Sequence, residues 1–125
     1  MPLLTSLGLV SLALAGLSGW LVLLATERPE WLRSRGVVAP GRIRQVHLDW
    51  VMMGLILIAV QVAVPDLPGW IRGMVAFGTV VNPLLFIPLA WGPGVKENPL
   101  YVAITLASFT ATSGGLTAVA VHALA

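Results

Sequence analysis

Long apolar stretches separated by short polar connections dominate this chain of 125 residues. Four stretches reach the length of about 20 residues that a helix needs to cross the hydrocarbon core of a bilayer. They predict transmembrane helices over about residues 3–25, 46–64, 70–91 and 100–125. Little of the chain remains outside these spans. We therefore expect an all-α protein with one four-helix transmembrane domain covering residues 1–125.

The composition agrees with a protein embedded in a membrane. Hydrophobic residues make up 58% of the chain and charged residues 10%, whereas about a quarter of a soluble domain is charged. The mean hydropathy is +0.94. The chain has no cysteine, which excludes disulfides, thiolate metal sites and thiol catalysis.

Basic residues are concentrated on one side of the predicted bundle. The connection of residues 26–45 holds five arginines, whereas the opposite side has only Arg72. The positive-inside rule then predicts that both termini are outside and that the connection is in the cytoplasm. We expect the membrane to be the inner membrane of a bacterium. This grouping indicates a topology signal rather than a nucleic-acid surface, so we expect no nucleic acid partner. The five arginines are Arg28, Arg33, Arg35, Arg42 and Arg44.

Small residues recur at steps of four in two of the spans. Such stripes let membrane helices approach closely. They are compatible with packing inside one subunit or with oligomerisation, and two stripes in four short helices favour self-association. The stripes are Ser11, Ala15 and Gly19 in the first span, and Ala103, Ala107, Ala111 and Gly115 in the fourth.

The third span contains two prolines and an asparagine. Pro83 and Pro88 lack a backbone N–H and leave the carbonyls of Thr79 and Leu84 without their helical partners. In lipid such groups need other donors. Asn82 lies near the middle of the span, where it is costly without a hydrogen bond. It is either a pocket wall or an interhelical hydrogen bond that fixes packing.

The second span begins with a histidine. Helical periodicity puts Trp50, Val51 and Gly54 on the face of His47, and Gly54 is expected to leave open space where a flat apolar ligand could lie. Asp49 points about 200° away and is expected to pair with an arginine or another helix. A lone interfacial histidine is commonly a satisfied polar residue, but ionisable residues in a span also warrant a functional hypothesis.

The stretch HLDWVMMG, residues 47–54, resembles a motif of a known membrane family. It is similar to the H-L-E-G-x-M-N-G segment of hydroxylaminobenzene mutases and to H-x5-N-G of styrene oxide isomerase. The resemblance implies a four-helix protein that forms a homotrimer with haem b between subunits. It also implies an iron held by the histidine of the motif and a ferric haem that opens epoxides to carbonyl compounds as a Lewis acid.

Carried over residue by residue, the resemblance makes His47 the iron ligand. Asn82 would line the substrate pocket as a candidate catalytic residue. Met53 stands where the family has asparagine, and Phe86 stands where the isomerase has tyrosine. The substrate pocket implied by the resemblance therefore consists of Met53, Asn82 and Phe86, with two polar groups replaced by apolar ones.

The remaining expectations concern the cofactor. A haem is broad compared with helix separations of about 8–10 Å, so a site between subunits is expected. Arg42 and Arg44 lie at a suitable depth to pair with the propionates, and Trp50 and Gly54 would lie beside the porphyrin. His122 falls roughly 30 Å away and cannot be a second ligand within one subunit.

Three functions stay open at this point. The first is redox-neutral isomerisation, of the epoxide-to-carbonyl type, of a small lipophilic compound by a haem enzyme. The second is a non-catalytic haem protein that carries electrons or haem, which Met53 and Phe86 favour. The third is a cofactor-free accessory subunit of a membrane complex.

Overall fold

The computed structural model describes residues 1–125, and all of its regular elements are helical. The six α-helices are labelled α1 to α6 in chain order, and a short 3-10 helix, Pro93–Glu97, precedes α6. The α-helices are α1 Leu3–Glu27, α2 Pro29–Ser34, α3 Gly41–Ala63, α4 Gly69–Leu84, α5 Phe86–Trp91 and α6 Pro99–Leu124.

Four helical segments are long and apolar enough to cross a membrane, which confirms the all-α prediction. They are Leu3–Glu27, Gly41–Ala63, Gly69–Trp91 and Pro99–Leu124. The second begins five residues before the predicted Val46, because the helix starts directly after Pro40. A proline fixes φ at a value suited to a helix start. Arg42 and Arg44 are therefore helical residues in the first turn of α3.

The third span is interrupted between its two prolines. Leu85 separates α4 from α5, because Pro88 cannot donate to the carbonyl one turn earlier. The phenolic hydroxyl of Tyr101 on α6 donates to the Leu85 carbonyl at 2.7 Å. The carbonyl that receives a hydrogen bond from another helix at the break is thus that of Leu85. The sequence predicts the carbonyl of Leu84, one residue earlier, as the group that needs such a donor. A neighbouring helix supplies the hydroxyl, as a break within lipid requires.

α1 and α3 pack against each other as an antiparallel pair. A Cβ added to Gly8 would lie 2.9 Å from the Gly54 carbonyl oxygen, and one added to Gly54 would lie 3.0 Å from the Gly8 carbonyl oxygen. The two glycines therefore bring the backbones into contact. The expected open space at Gly54 does not exist, because α1 fills it with Gly8 and Leu12.

α4 and α6 form a second pair by the same means. A Cβ on Gly78 would lie 2.6 Å from the backbone nitrogen of Thr112, and one on Gly115 would lie 3.1 Å from that of Val75. α3 packs against both α4 and α5 and so joins the two pairs. The order across the bundle is α1, α3, α4 with α5, and α6.

The small-residue stripes are used partly within the subunit. On α1, Ser11 and Ala15 are buried, and on α6, Ala111 is buried with Gly115, whereas the earlier residues of that stripe are exposed. Only 25 of 125 residues are buried, so most apolar side chains lie on the outer surface. A bilayer is the solvent that suits such a surface.

The connection between α1 and α3 folds back against α5. The backbone nitrogen of Ala39 donates to the Ala90 carbonyl at 2.9 Å. Leu32 of α2 and Val37 are buried in the same contact, together with Ile43 at the start of α3. The arginine-rich connection is thereby fixed over one end of the bundle.

We expect Gly8→Ala to destabilise the protein. The added methyl group meets the Gly54 backbone oxygen, which cannot rotate away, and overpacking of this kind costs roughly 1–3 kcal/mol. Thermal unfolding in detergent, followed by helical circular dichroism, should show a lower midpoint. The matched control is Gly16→Ala on the same helix, because a Cβ there has no neighbour within 4 Å. Equal midpoints for the two variants would contradict the close contact of α1 and α3.

Candidate functional site

The imidazole of His47 faces α1 and is anchored there. Its Nδ1 lies 2.8 Å from the carbonyl oxygen of Ala15 and 3.1 Å from the hydroxyl oxygen of Ser18. The Ser18 hydroxyl itself donates to the Ala15 carbonyl at 3.0 Å. Because a carbonyl oxygen only accepts, Nδ1 carries the proton. In this tautomer the lone pair is on Nε2.

The Nε2 atom of His47 is free. It has no hydrogen-bond partner within the chain. Every fully buried side-chain nitrogen or oxygen of the chain does have a partner. Nε2 is therefore accessible at the surface of the protomer. Metal-binding histidines almost always donate their other N–H to a carboxylate, a backbone carbonyl or water, which fixes the tautomer and orients the ring. The hydrogen bonds of His47 thus fit an axial iron ligand.

Glycine is the residue of α1 that lies next to the exposed edge of the ring. A Cβ added to Gly19 would be 3.6 Å from Cε1 of His47, an ordinary contact distance. Cε1 joins the two ring nitrogens, so a large side chain at position 19 would reach towards Nε2. The steps of four along α1 predict Gly19 only as part of a packing stripe, because periodicity within one helix does not show which residue of a neighbouring helix lies beside it.

An apolar cavity of about 230 Å³ lies close to this histidine. It exceeds the roughly 150 Å³ of an engineered cavity that binds benzene, but it falls short of the roughly 300–1,000 Å³ of pockets for drug-sized ligands. A small neutral molecule fits, and a haem does not. The cavity wall is apolar, and the hydroxyl of Ser18 is bonded to the Ala15 carbonyl instead. The residues that line the cavity are Ser18, Leu21, Leu32, Val37, Ile43, Val46, Trp50, Ile87, Ala90 and Trp91.

Asn82 belongs to a different part of the bundle. Its Nδ2 donates to Oδ2 of Asp49 at 3.3 Å, and its Oδ1 accepts from the hydroxyl of Ser108 at 3.4 Å. That hydroxyl also lies 3.2 Å from the Gly78 carbonyl oxygen. These contacts link α3, α4 and α6. They match the interhelical hydrogen bond predicted as one alternative for Asn82, and they give Asp49 a partner on another helix.

The substrate pocket implied by the resemblance is not assembled around His47 in one protomer. Met53 is buried, with 6% of its surface exposed, and it lies about 120° around α3 from His47. Phe86 lines a separate groove that it shares with Arg42. Asn82 is engaged with Asp49. The physical reason is that α3 is in the middle of the bundle, so its faces contact different neighbours.

The two arginines predicted to bind propionates are separated. Arg42 lines the groove with Phe86, about 140° around α3 from His47. Arg44 is exposed and comes three residues before His47, which places it on the same side of the helix as the imidazole. Of the two, Arg44 is the one positioned to reach a group bound at Nε2.

The chain contains no group of three or more His, Asp or Glu side chains that could hold a metal ion. A chelating site of protein ligands is therefore not formed within the protomer, whereas a haem iron takes one or two axial ligands from the protein. Comparisons with models of protein families, with curated proteins and with solved structures found no match.

We expect a measurable coupling between Asp49 and Asn82. In a double-mutant cycle of Asp49→Ala and Asn82→Ala, the coupling free energy should be roughly 0.6–1.7 kcal/mol, the range for hydrogen bonds between membrane helices. Unfolding of the four proteins in mixed detergent micelles measures it. Ser113→Ala is a suitable control, because the hydroxyl of Ser113 is exposed and bonds to its own helix. A coupling of zero would show that the Asp49–Asn82 contact does not stabilise the bundle.

Proposed function

We propose that this protein binds haem b through Nε2 of His47 and isomerises a small lipophilic compound without net redox change. The observation that carries the proposal is the hydrogen bond from Nδ1 of His47 to the Ala15 carbonyl at 2.8 Å. It leaves an accessible lone pair on the other nitrogen. The likeness of residues 47–54 to the styrene oxide isomerase motif supports the same ligand.

Residues of α1 orient His47 for binding to iron. The Ala15 carbonyl and the Ser18 hydroxyl hold the ring in one orientation and one tautomer. When bound, a ferric haem would supply a Lewis acid for the oxygen of a substrate. Arg44 is the cation that we assign to a propionate, by charge-assisted pairing.

The haem is proposed to lie between copies of the chain. The cavity beside Ser18 measures about 230 Å³, which is too small for a porphyrin, and Nε2 opens to the outside of the protomer. A neighbouring copy would cover the other face of the cofactor. We propose a homotrimer, as the resemblance implies, and the exposed Ala103 and Ala107 of α6 are candidates for its contacts.

The substrate would bind on the side of the iron that His47 does not take, towards the neighbouring copy of the chain. The cavity beside Ser18 lies on the His47 side of such a haem, and because its walls are apolar it would hold a small neutral molecule by shape. Small lipophilic compounds partition into the bilayer and would reach the cavity from there. By the positive-inside rule, we place the arginine-rich connection in the cytoplasm of a bacterium, and both termini on the other side of the inner membrane.

A second candidate is a haem protein without catalytic activity. It is favoured by the position of the polar groups, because Asn82 is engaged by Asp49 and Ser108 and no amide lies beside His47. A Lewis-acid reaction benefits from a group that holds the substrate while charge develops. The Ser18 hydroxyl lies beside the imidazole, but it already donates to the Ala15 carbonyl.

Reconstitution with haem b should give the purified protein a Soret band, and His47→Ala should abolish it. His122→Ala is the matched control and should keep the band, because His122 lies in the last turn of α6. A wild-type protein that shows no Soret band after haem addition would overturn both haem functions. The cofactor-free accessory subunit would then remain.

The same samples separate catalysis from electron transfer. A high-spin ferric spectrum that changes when an aryl epoxide is added, together with carbonyl product that His47→Ala does not form, is expected for the isomerase. A low-spin spectrum that is indifferent to the epoxide, without product, would support the non-catalytic haem protein and refute isomerisation of this substrate class.

Replacing Gly19 by leucine should largely remove the Soret band while leaving the helical circular dichroism unchanged. A Cβ at position 19 lies beside Cε1 of His47, so the larger side chain is expected to occupy space next to Nε2 that the haem would need. Gly19→Ala is the control and should bind haem, because its Cβ has an ordinary contact of 3.6 Å with Cε1. Undiminished binding by Gly19→Leu would show that haem does not approach His47 from this side.

A further inference from the structure

A groove on the outer surface of α3, α5 and α6 combines two cations with an apolar floor. Its volume is about 340 Å³, and it is more open than the cavity beside Ser18. It lies at the end of the bundle that carries six of the seven basic residues. The residues that line it are Arg42, Phe86, Leu89, Lys96, Tyr101, Val102, Thr105 and Leu106.

The two cations come from distant parts of the chain. Arg42 is in the first turn of α3, and Lys96 is in the 3-10 helix before α6. The guanidinium of Arg42 donates to Oε1 of Gln45 at 2.7 Å, and neither cation is hydrogen bonded to a carboxylate. Two like charges at one groove, in the low-dielectric edge of a membrane, favour a bound anion.

The other polar groups of the groove are already satisfied. The hydroxyl of Tyr101 donates to the Leu85 carbonyl, and that of Thr105 donates to the Tyr101 carbonyl at 2.8 Å. They offer no free donor to a ligand. Arg42 and Lys96 are therefore the groups that would recognise it, and they recognise negative charge.

The floor of the groove continues along α6 into the hydrocarbon layer. Val102 and Leu106 are four residues apart and share one face of the helix, and both are exposed on the protomer. Phe86 of α5 also lines the groove. A small water-soluble anion would leave this apolar surface exposed, whereas the acyl chain of a lipid would cover it.

We propose that this groove binds an anionic phospholipid, with its phosphate between Arg42 and Lys96 and one acyl chain along Val102 and Leu106. Basic pockets between membrane helices are known to hold lipid headgroups of this charge. The site lies on the side of α3 away from His47. It does not depend on haem, and lipid binding can be tested in the apo protein.

Native mass spectrometry of the detergent-solubilised apo protein tests the proposal with phosphatidylglycerol and phosphatidylcholine of equal chain length. Phosphatidylglycerol should bind at least about tenfold more tightly. The double variant Arg42→Gln/Lys96→Gln should lose that preference. Arg33→Gln/Arg44→Gln removes the same net charge from the same side of the bundle and should keep it.

Two outcomes would overturn the lipid site. One is equal binding of the two lipids by the wild-type protein. The other is an equal loss of preference in both double variants, which would show that the general field of the basic connection attracts the lipid. Val102→Trp fills the floor of the groove and should weaken the binding of a short-chain phosphatidylglycerol. Undiminished binding by this variant would refute the proposed position of the acyl chain. Repeating the titration with His47→Ala separates this result from the haem proposal, because lipid binding should not change.

Discussion

The contact between Gly8 and Gly54 sets the register on which the candidate site depends. α1 and α3 run antiparallel, and each glycine lies against the backbone of the other. Seven residues after Gly8 comes Ala15, and seven residues before Gly54 comes His47. Because seven residues are about two helical turns, the same register that joins the glycines brings the Ala15 carbonyl to Nδ1 of His47. A shift of one helix along the other would separate them.

Polar contacts then join this pair of helices to the second pair. Asp49 of α3, Asn82 of α4 and Ser108 of α6 form a chain of hydrogen bonds through the bundle. A hydrogen bond between membrane helices is modest in free energy, but it is directional and fixes rotation about the helix axis. Since Asp49 is two residues from His47, that rotation also determines which way the imidazole faces.

The spans could be predicted from the sequence because their length and hydropathy are set by the bilayer rather than by neighbouring helices. The site was harder to predict. Periodicity placed Gly54 on the face of His47, and the structure agrees, but periodicity does not say which helix covers that face. The expected open space was therefore wrong, since α1 occupies it. For Asn82 both alternatives were physically reasonable, and only the approach of Asp49 and Ser108 distinguishes them.

The break in the third span has a consequence for how ligand binding should be measured. The six residues of α5 separate two compartments, with Ile87 and Ala90 facing the cavity and Phe86 and Leu89 facing the groove. This partition is one helix thick, and the Ala39–Ala90 hydrogen bond fixes it at one end. Detergent or lipid bound in the groove would contact the face of α5 opposite to the one that lines the cavity. Affinities for a compound in the cavity should therefore be compared only between samples prepared with the same detergent or lipid.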